Sequence, residues 1–216
     1  MTAPAAPRDD PPPGGLAASQ AARRRRVLHA TLELAGRGGF DGVQMRDVAA
    51  EAGVALGTVY RYFESKERLL LEANLTQVER LRRRLQARPP TGADAAERVV
   101  DVLRRATNAL LRDPETTAAM VRALGSAQRS EADVVRRITR EMTGIITAAM
   151  HPGPPDERDL AVARVLQQVW FSALIGWVGG VDPPERVLDD LAAATRLLLE
   201  RAGGEAGTDH AGTDHA

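Results

Sequence analysis

The sequence contains no cysteine and few aromatic residues. Without a thiol, the chain can form neither a disulfide nor a thiolate metal site, and it has no cysteine nucleophile. Aromatic side chains make up only 3% of the 216 residues, so the interior must be built mainly from aliphatic side chains. Apolar residues as a whole reach 44%, which is enough to form a buried core.

Long hydrophobic runs and alternating strand patterns are also missing. The longest apolar stretch, residues 169–181 with one serine, is shorter than the ~20 residues of a membrane-spanning helix. The first residues carry proline and aspartate where a signal peptide would be apolar. No run alternates β-branched or aromatic residues with polar ones. We therefore expect an all-α, soluble, cytoplasmic protein that has no membrane partner.

The patterns of common enzymes and metal sites are absent as well. The four histidines, at residues 29, 151, 210 and 215, are widely scattered, and no HExxH, GxSxG or Walker pattern occurs. Adjacent acids such as Asp189 and Asp190 cannot face one site on a helix. We expect no catalytic residue, no metal and no cofactor.

Charge is balanced overall but unevenly distributed. The chain carries 29 cationic and 29 acidic side chains. Residues 19–88 hold 14 cations against 8 acids, whereas residues 89–216 hold 14 against 19. A basic N-terminal third beside an acidic remainder fits a DNA-reading head on a body that does not contact DNA.

Residues 45–63 (MRDVAAEAGVALGTVYRYF) have the spacing of a helix-turn-helix. Gly53 lies where the turn needs a residue that tolerates a positive φ. Small or apolar residues recur at helical spacing on both sides of it and would bury the two helices against each other. An ordinary helical hairpin is the alternative, but this many constrained positions favour DNA binding. The inward-facing positions are Val48, Ala49, Ala52, Val54, Val59 and Phe63.

The outer face of the second motif helix is small, hydroxylic or cationic, which suits base edges and phosphates. A run of four arginines, residues 23–26, precedes the motif. A solvated helix face is the ordinary interpretation of such a run, but its place beside the motif favours phosphate contact. The outward positions of the helix are Leu56, Gly57, Thr58, Tyr60, Arg61 and Tyr62.

Apolar periodicity and capping residues predict about nine helices. Ser19 is the expected N-cap of the first helix, and a disordered, Pro/Ala/Gly-rich tail (residues 1–18) precedes it. A three-helix head (19–65), a connecting helix (66–88), a larger helical body (89–202) and a polar tail (203–216) follow. The helices are predicted over residues 21–37, 45–52, 56–63, 65–86, 95–112, from 113 onward, 131–150, 159–178 and 182–201.

The three-helix head and the string GTVYRYFESKERLL resemble the TetR family of transcriptional regulators over residues 21–75. The resemblance implies a body that senses a ligand and forms a dimer. It also implies that Arg46 reaches a base or phosphate, that Lys66 binds phosphate, and that Arg61 and Tyr62 make flanking contacts. The groove-facing positions would be Leu56, Gly57, Thr58 and Tyr60.

Two positions depart from the family pattern. Gln44-Met45 stand where threonine is common, and Ala55 stands where serine is common, so a capping or phosphate-binding hydroxyl is lost at each. The segments VQMRDVA, RDPETTAAMVRAL and VLQQVWFSALIGW resemble one branch of the family, the KstR-type regulators of steroid catabolism. That resemblance implies a large, flat, sterol-derived effector.

The body concentrates its aromatic residues within one eight-residue segment, and its methionines lie on other helices. Such side chains can line an adaptable apolar pocket, although core or dimer packing is the alternative. The last two helices carry more apolar surface than one core needs and would pair with a second copy. The candidate ligand-binding residues are Met120, Met142, Trp170, Phe171, Leu174 and Trp177.

These observations predict a ligand-responsive repressor. It would bind a palindromic double-stranded DNA operator as a homodimer and leave it when a small apolar effector enters the body. A multidrug-sensing regulator of an efflux gene is one alternative, and a helical small-molecule carrier that does not bind DNA is another.

Overall fold

The computed structural model describes residues 13–199, which form nine α-helices, a short 3-10 turn at Arg129–Glu131 and no strand. The predicted all-α class and helix number are confirmed. The predicted C-terminal tail and residues 1–12 of the N-terminal tail lie outside the described residues. The helices are α1 (Pro13–Gly42), α2 (Met45–Ala52), α3 (Leu56–Tyr62), α4 (Lys66–Ala87), α5 (Ala95–Leu111), α6 (Pro114–Gly125), α7 (Ala132–Met150), α8 (Glu157–Val178) and α9 (Pro184–Leu199).

The first helix begins earlier than the sequence predicts. It starts at Pro13, six residues before Ser19, so Ser19 is an interior position and not an N-cap. Residues 13–18 are therefore helical, although the composition predicts disorder there. The predicted break at residues 36–42 is present, since Gly38 and Gly39 depart from helical backbone angles and Gly39 has a φ of 59°.

The helix caps follow the sequence closely. The side chain of Ser65 accepts a hydrogen bond from the N–H three residues on, and that of Asp113 does the same at the start of α6. Such caps satisfy backbone donors that have no partner within the helix. Gln44 and Ala55, at the N-caps of α2 and α3, provide no side-chain cap, as their departure from the family pattern implies.

Helix α1 joins the two parts of the molecule, because it packs against α2 and α4 and also against α6 in the body. Helix α8 packs against α6, α7 and α9. Its 22 residues are long and apolar enough, by length and composition, to cross a membrane. This corrects the expectation that no segment reaches that length, which counted only residues 169–181.

Candidate DNA-binding surface and ligand cavity

The turn between α2 and α3 is closed by a glycine in the left-handed conformation. Gly53 has a φ of 62°, and its N–H donates to the carbonyl of Ala50 at 3.2 Å, while the N–H of Val54 donates to that of Ala49 at 3.0 Å. This pair of bonds is the Schellman arrangement. No atom lies within 4 Å of the position that a Cβ on Gly53 would occupy, so the backbone conformation itself favours glycine.

The inner faces of α2 and α3 are filled as predicted. Val48 and Val59 have no exposed surface, and Phe63 is 1% exposed. Ala49 and Ala52 are also buried, which lets the two helices approach closely. Only Val54, in the turn, is half-buried. The short helix α3 is therefore held rigidly, and its opposite face is directed outward.

That outward face carries most of the residues predicted to contact DNA. Leu56 is 39% exposed and Tyr60 is 51% exposed, which is unusual for side chains of this size. Gly57 and Arg61 are exposed, and Thr58 is half-buried. An exposed row of this composition on a rigid helix is suited to lie in the major groove of DNA.

Tyr62 does not belong to this row. Its side chain is half-buried, its hydroxyl is buried without a hydrogen-bond partner, and its ring lies 6.2 Å from that of Phe63. The prediction that Tyr62 faces outward is wrong because it follows the buried Val59 by three residues and so shares its side of the helix.

The two cations expected to flank α3 have different surroundings. The side chain of Arg46 is 86% exposed, and its Nε lies 3.6 Å from a carboxylate oxygen of Asp47. Lys66 is half-buried, and its Nζ donates to the carbonyl of Phe40 at 3.2 Å. Arg46 can reach DNA as an extended side chain, whereas Lys66 is positioned by the head itself.

The arginine run at residues 23–26 is divided between structure and surface. Arg24 forms a 2.5 Å ion pair with Glu72, and its guanidinium lies 5.4 Å from the centroid of the Phe63 ring. The Nε of Arg26 donates to the carbonyl of Ala52 at 3.1 Å. Two members of the run therefore hold the head together, which corrects the interpretation of the whole run as a phosphate contact. Within the part of the chain that the structure describes, the exposed members without such contacts are Arg23 and Arg25.

Directly after the helix-turn-helix, side-chain hydrogen bonds connect the start of helix α4 to the body. The hydroxyl of Ser65 donates to a carboxylate oxygen of Glu131 at 3.3 Å. Arg68 donates to both carboxylate oxygens of Asp133, at 2.9 and 2.8 Å. The hydrogen bond from Arg68 holds the pKa of the Asp133 carboxyl below its ordinary value. The end of α3 and the start of α7 are thus connected through one turn of α4.

A buried carboxylate makes a second connection. Glu72 of α4 is 6% exposed, and its two oxygens contact Arg24 of the head at 2.5 Å and Arg137 of α7 at 3.1 Å. Sequence reasoning missed this cluster because its members are 48 and 65 residues apart.

The body contains a cavity of about 1330 Å³, partly open to solvent, between helices α4, α5, α6, α7 and α8. This volume exceeds the 300–1,000 Å³ that is usual for a small-molecule site. Five of the six candidate ligand-binding residues line it, and their role in binding stays a prediction. These five are Met120, Met142, Trp170, Phe171 and Leu174.

Trp177 is not part of the cavity wall. It follows Leu174 by three residues near the C-terminal end of α8, beyond the cavity, and it packs half-buried against the core. The interpretation of Trp177 as packing, which the sequence left open, therefore describes it better than a role in ligand binding.

The cavity wall also carries many cations, which sequence reasoning did not single out. Seven arginines line the cavity, against two acids, Asp101 and Asp113. Three of the arginines recur every fourth residue, two within α4 and Arg88 directly after its end, and this spacing is a signal that was available in the sequence. The seven are Arg80, Arg84, Arg88, Arg104, Arg105, Arg112 and Arg164.

Asp101 lies at one edge of the cavity and forms hydrogen bonds with its neighbours there. Burial disfavours its charged form, but hydrogen bonds from the Thr91 N–H, at 3.1 Å, and from Arg105 and Arg104 outweigh that effect and hold its pKa below the ordinary value. The carboxylate thereby ties the α4–α5 connection to α5. Among residues 13–199, no group of three His, Asp or Glu side chains is placed to hold a metal ion.

Comparisons with known proteins agree with this geometry. Residues 27–73 match the family described as bacterial regulatory proteins, tetR family, and residues 92–198 match the tetracyclin repressor-like, C-terminal domain. The chain is 41% identical to the HTH-type transcriptional repressor KstR of Rhodococcus jostii (strain RHA1) over 174 residues, or 81% of each chain.

Solved structures show the same architecture. A TetR transcriptional regulator from Rhodococcus sp. RHA1 has a TM-score of 0.79 and 33% identity, covering 84% of this chain and 97% of that one. Thermus thermophilus FadR, in complex with lauroyl-CoA, has a TM-score of 0.66 and 22% identity, covering 89% and 98%. The matched relatives are regulators and not enzymes, which confirms that expectation. The chain therefore belongs to the TetR family of bacterial transcriptional regulators and is similar over most of its length to the KstR repressors.

Proposed function

We propose that this chain is a homodimeric repressor that binds a palindromic operator. An amphipathic effector that enters the cavity of the body would cause the repressor to release the operator. The observation that carries the proposal is the position of α4. This helix forms part of the cavity wall, and it begins four residues after α3, the helix that presents residues to DNA. A molecule that reshapes the cavity can therefore move the DNA-reading helix.

The proposed DNA contacts come from α3 and the start of α2. Arg46 and Thr58 are the base-edge candidates, since an arginine that pairs with guanine through two hydrogen bonds contributes ~1–3 kcal/mol of discrimination. Gly57 allows close approach of the backbone to DNA, and Tyr60 contacts a thymine methyl group or a phosphate. Lys66 contacts a phosphate from its place against Phe40. Leu56 and Arg61 complete the set.

The proposed dimer uses α8, α9 and the loop between them. This region exposes large apolar side chains, an arrangement that a second copy would cover in a four-helix interface. Two-fold symmetry would place the two α3 helices in successive major grooves, ~34–36 Å apart for half-sites one turn apart. The exposed side chains are Leu160 (44%), Ile175 (49%), Val181 (80%) and Leu197 (68%).

The lining of the cavity supports a proposal for the chemistry of the effector. Methionine, aromatic and aliphatic side chains would take an apolar body, and the resemblance to the KstR-type regulators favours a sterol-derived one. The excess of arginines over acids would take a carboxylate or phosphate on the same molecule. The related fold of Thermus thermophilus FadR holds lauroyl-CoA, which is an apolar chain on an anionic group.

The multidrug-sensing alternative is less well supported. A site for cationic drugs would need acids facing the cavity, yet one of the two acids there, Asp101, is already paired with arginines. As a regulator that contacts the chromosome, the chain would act in the cytoplasm.

Release requires that the effector bind the DNA-free conformation more tightly than the DNA-bound one. The test begins with a duplex that the protein selects from a random library, followed by a binding titration at about 150 mM salt, where non-specific binding is weak. Lauroyl-CoA, the sterol acid cholate and uncharged cholesterol are then added. We expect an anionic amphiphile to lower DNA affinity more than cholesterol does. If the protein selects no sequence, the repressor proposal fails. If DNA binds but no amphiphile alters its affinity, the proposed release mechanism fails.

A further inference from the structure

One aromatic ring joins the DNA-binding head to the wall of the cavity. The Nζ of Lys66 lies 4.1 Å from the centroid of the Phe40 ring, and the guanidinium carbon of Arg122 lies 4.3 Å from it. Both distances lie within the roughly 6 Å range of a cation–π contact. Phe40, near the end of α1, is therefore contacted by one cation from α4 and one from α6.

Polar contacts fix both cations in this arrangement. Lys66 donates to the carbonyl of Phe40 at 3.2 Å, and Arg122 donates to a carboxylate oxygen of Asp41 at 2.9 Å. The side chains of Arg122 and Asp41 are 56% and 77% exposed, so their ion pair alone contributes little. The ring adds a cation–π contact to each cation and so links Lys66 to Arg122.

The two cations that contact the ring belong to the two functional parts of the molecule. Arg122 lies between Val121 and Leu124 on α6, both of which line the cavity, while Arg122 itself does not. Lys66 begins α4 four residues after the end of α3. An ammonium group has three N–H donors, and the bond to the Phe40 carbonyl uses one, which leaves donors for a DNA phosphate.

We propose that Arg122 is a positioning residue for DNA binding, which sets the place of the Lys66 ammonium through the ring of Phe40. A shift of α6 at the cavity then moves the Lys66 contact with DNA. This inference rests on the proposed function, since it assumes that the head binds DNA. It adds a route from α6 that is separate from the contacts between α4 and α7.

A double-mutant cycle on DNA affinity tests this route without any effector. The variants are Arg122→Gln, Lys66→Gln and the pair, measured on the duplex selected by the unmodified protein. We expect Arg122→Gln to weaken binding about two- to fivefold, the range of an exposed cation–π contact. In the Lys66→Gln background the same change should have no further effect, because the side chain it positions is absent. Arg140→Gln, which removes an exposed cation from α7, is the matched control and should bind normally.

Two substitutions of the ring complete the test. Phe40→Leu keeps an apolar side chain but removes the aromatic face, and should reproduce the loss seen in Arg122→Gln. Phe40→Tyr keeps the face and should bind like the unmodified protein. The slope of log affinity against log salt should fall by up to about one unit in Arg122→Gln, as for loss of one phosphate contact, while the helical circular dichroism stays unchanged.

Independent, additive losses in Arg122→Gln and Lys66→Gln would overturn the inference and leave the proposed function intact. Normal binding by Arg122→Gln would do the same. Failure of the unmodified protein to select any duplex would instead overturn the proposed function, and this inference with it.

Discussion

The head and the body of this protein differ in how completely they are filled. Val48 and Val59 of the head have no exposed surface, and Phe63 has 1%. The body leaves a cavity of about 1330 Å³ among its helices. A close-packed interior resists deformation, whereas a hollow one can change shape when a molecule enters it. The contrast suggests that this chain presents a fixed surface to DNA and keeps its adaptability in the body.

The largest expected effect is the loss of a head core residue. Phe63 directly follows the last residue of α3 and packs beside Arg24 and Tyr62. Phe63→Ala should lower the free energy of unfolding by about 3–5 kcal/mol, because the removed ring leaves a cavity in a filled core. DNA binding should be lost as well. Urea unfolding followed by circular dichroism measures the first effect, and a gel-shift assay the second.

The matched substitution in the body is Phe171→Ala. Phe171 is half-buried and already borders the cavity, so its removal enlarges an existing void and should cost only about 1 kcal/mol. Equal losses of stability in the two variants would contradict the contrast between a filled head and a hollow body.

The difference between the two regions also decides what could be predicted from the sequence. The head depends on local constraints. The N–H groups of Gly53 and Val54 close its turn with bonds to carbonyls three and five positions back, and the Ser65 side chain accepts from the N–H three residues on. Such spacings are visible in a single sequence. Even there, the prediction for Tyr62 is wrong, because it follows from residue type and not from the spacing to Val59.

The body depends on contacts that a single sequence does not display. Asp41 and Arg122 are 81 residues apart, and Glu72 and Arg137 are 65 apart. The clustering of aromatic residues and the placement of methionines pointed to five residues of the cavity wall. They could not separate residues that line the cavity from residues that pack beyond it, as Trp177 does. Which helix faces meet depends on how the helices cross, and that is a property of the whole fold.

The second prediction concerns a substitution that disrupts the ion-pair cluster between the head and the body. Glu72→Gln removes the charge that Arg24 and Arg137 share. It should lower the free energy of unfolding by about 1–3 kcal/mol, less than a fully buried pair because the two arginines are 38% and 46% exposed. Thermal unfolding measures the effect. Glu79→Gln, on the same helix, is the control and should unfold like the unmodified protein. A loss no larger than that of the control would mean that the cluster does not hold the two regions together.

The third prediction compares alanine substitutions at two glycines of the head that have different backbone conformations. Gly57 is helical, and no atom lies within 4 Å of the position that an added methyl group would occupy there. Gly57→Ala should therefore stabilise the fold by up to about 1 kcal/mol and still weaken DNA binding, because the added methyl group lies on the DNA-facing side. Gly53→Ala should instead destabilise the fold by about 1–2 kcal/mol, since alanine disfavours the left-handed conformation. A stabilised Gly57→Ala protein with unchanged DNA affinity would contradict the proposed close approach of α3 to DNA.

The smallest expected effect is a pH dependence confined to the body. His151, in the loop before α8, lies with its Nε2 2.7 Å from a carboxylate oxygen of Asp159. The hydrogen bond to Asp159 and the bond to the Pro152 carbonyl raise the pKa of the His151 imidazole. A raised pKa means that the folded state binds the proton more tightly than the unfolded one. The stabilisation is therefore complete below about pH 6.5, the ordinary pKa of histidine, and is lost as the pH rises through the raised value.

The melting temperature should fall slightly over that pH interval, and His151→Gln should remove the fall. His29→Gln, which changes a histidine of α1 that lies 3.9 Å from Glu33, should leave it in place. Because His151 lies far along the chain from α3 and in the other region, the affinity for DNA should change little over the same interval in the unmodified protein and in His151→Gln alike. A His151-dependent change in DNA affinity would show that the α7–α8 loop affects the head. The contrast between a fixed head and an adaptable body would then have to count this loop among the parts that control DNA binding.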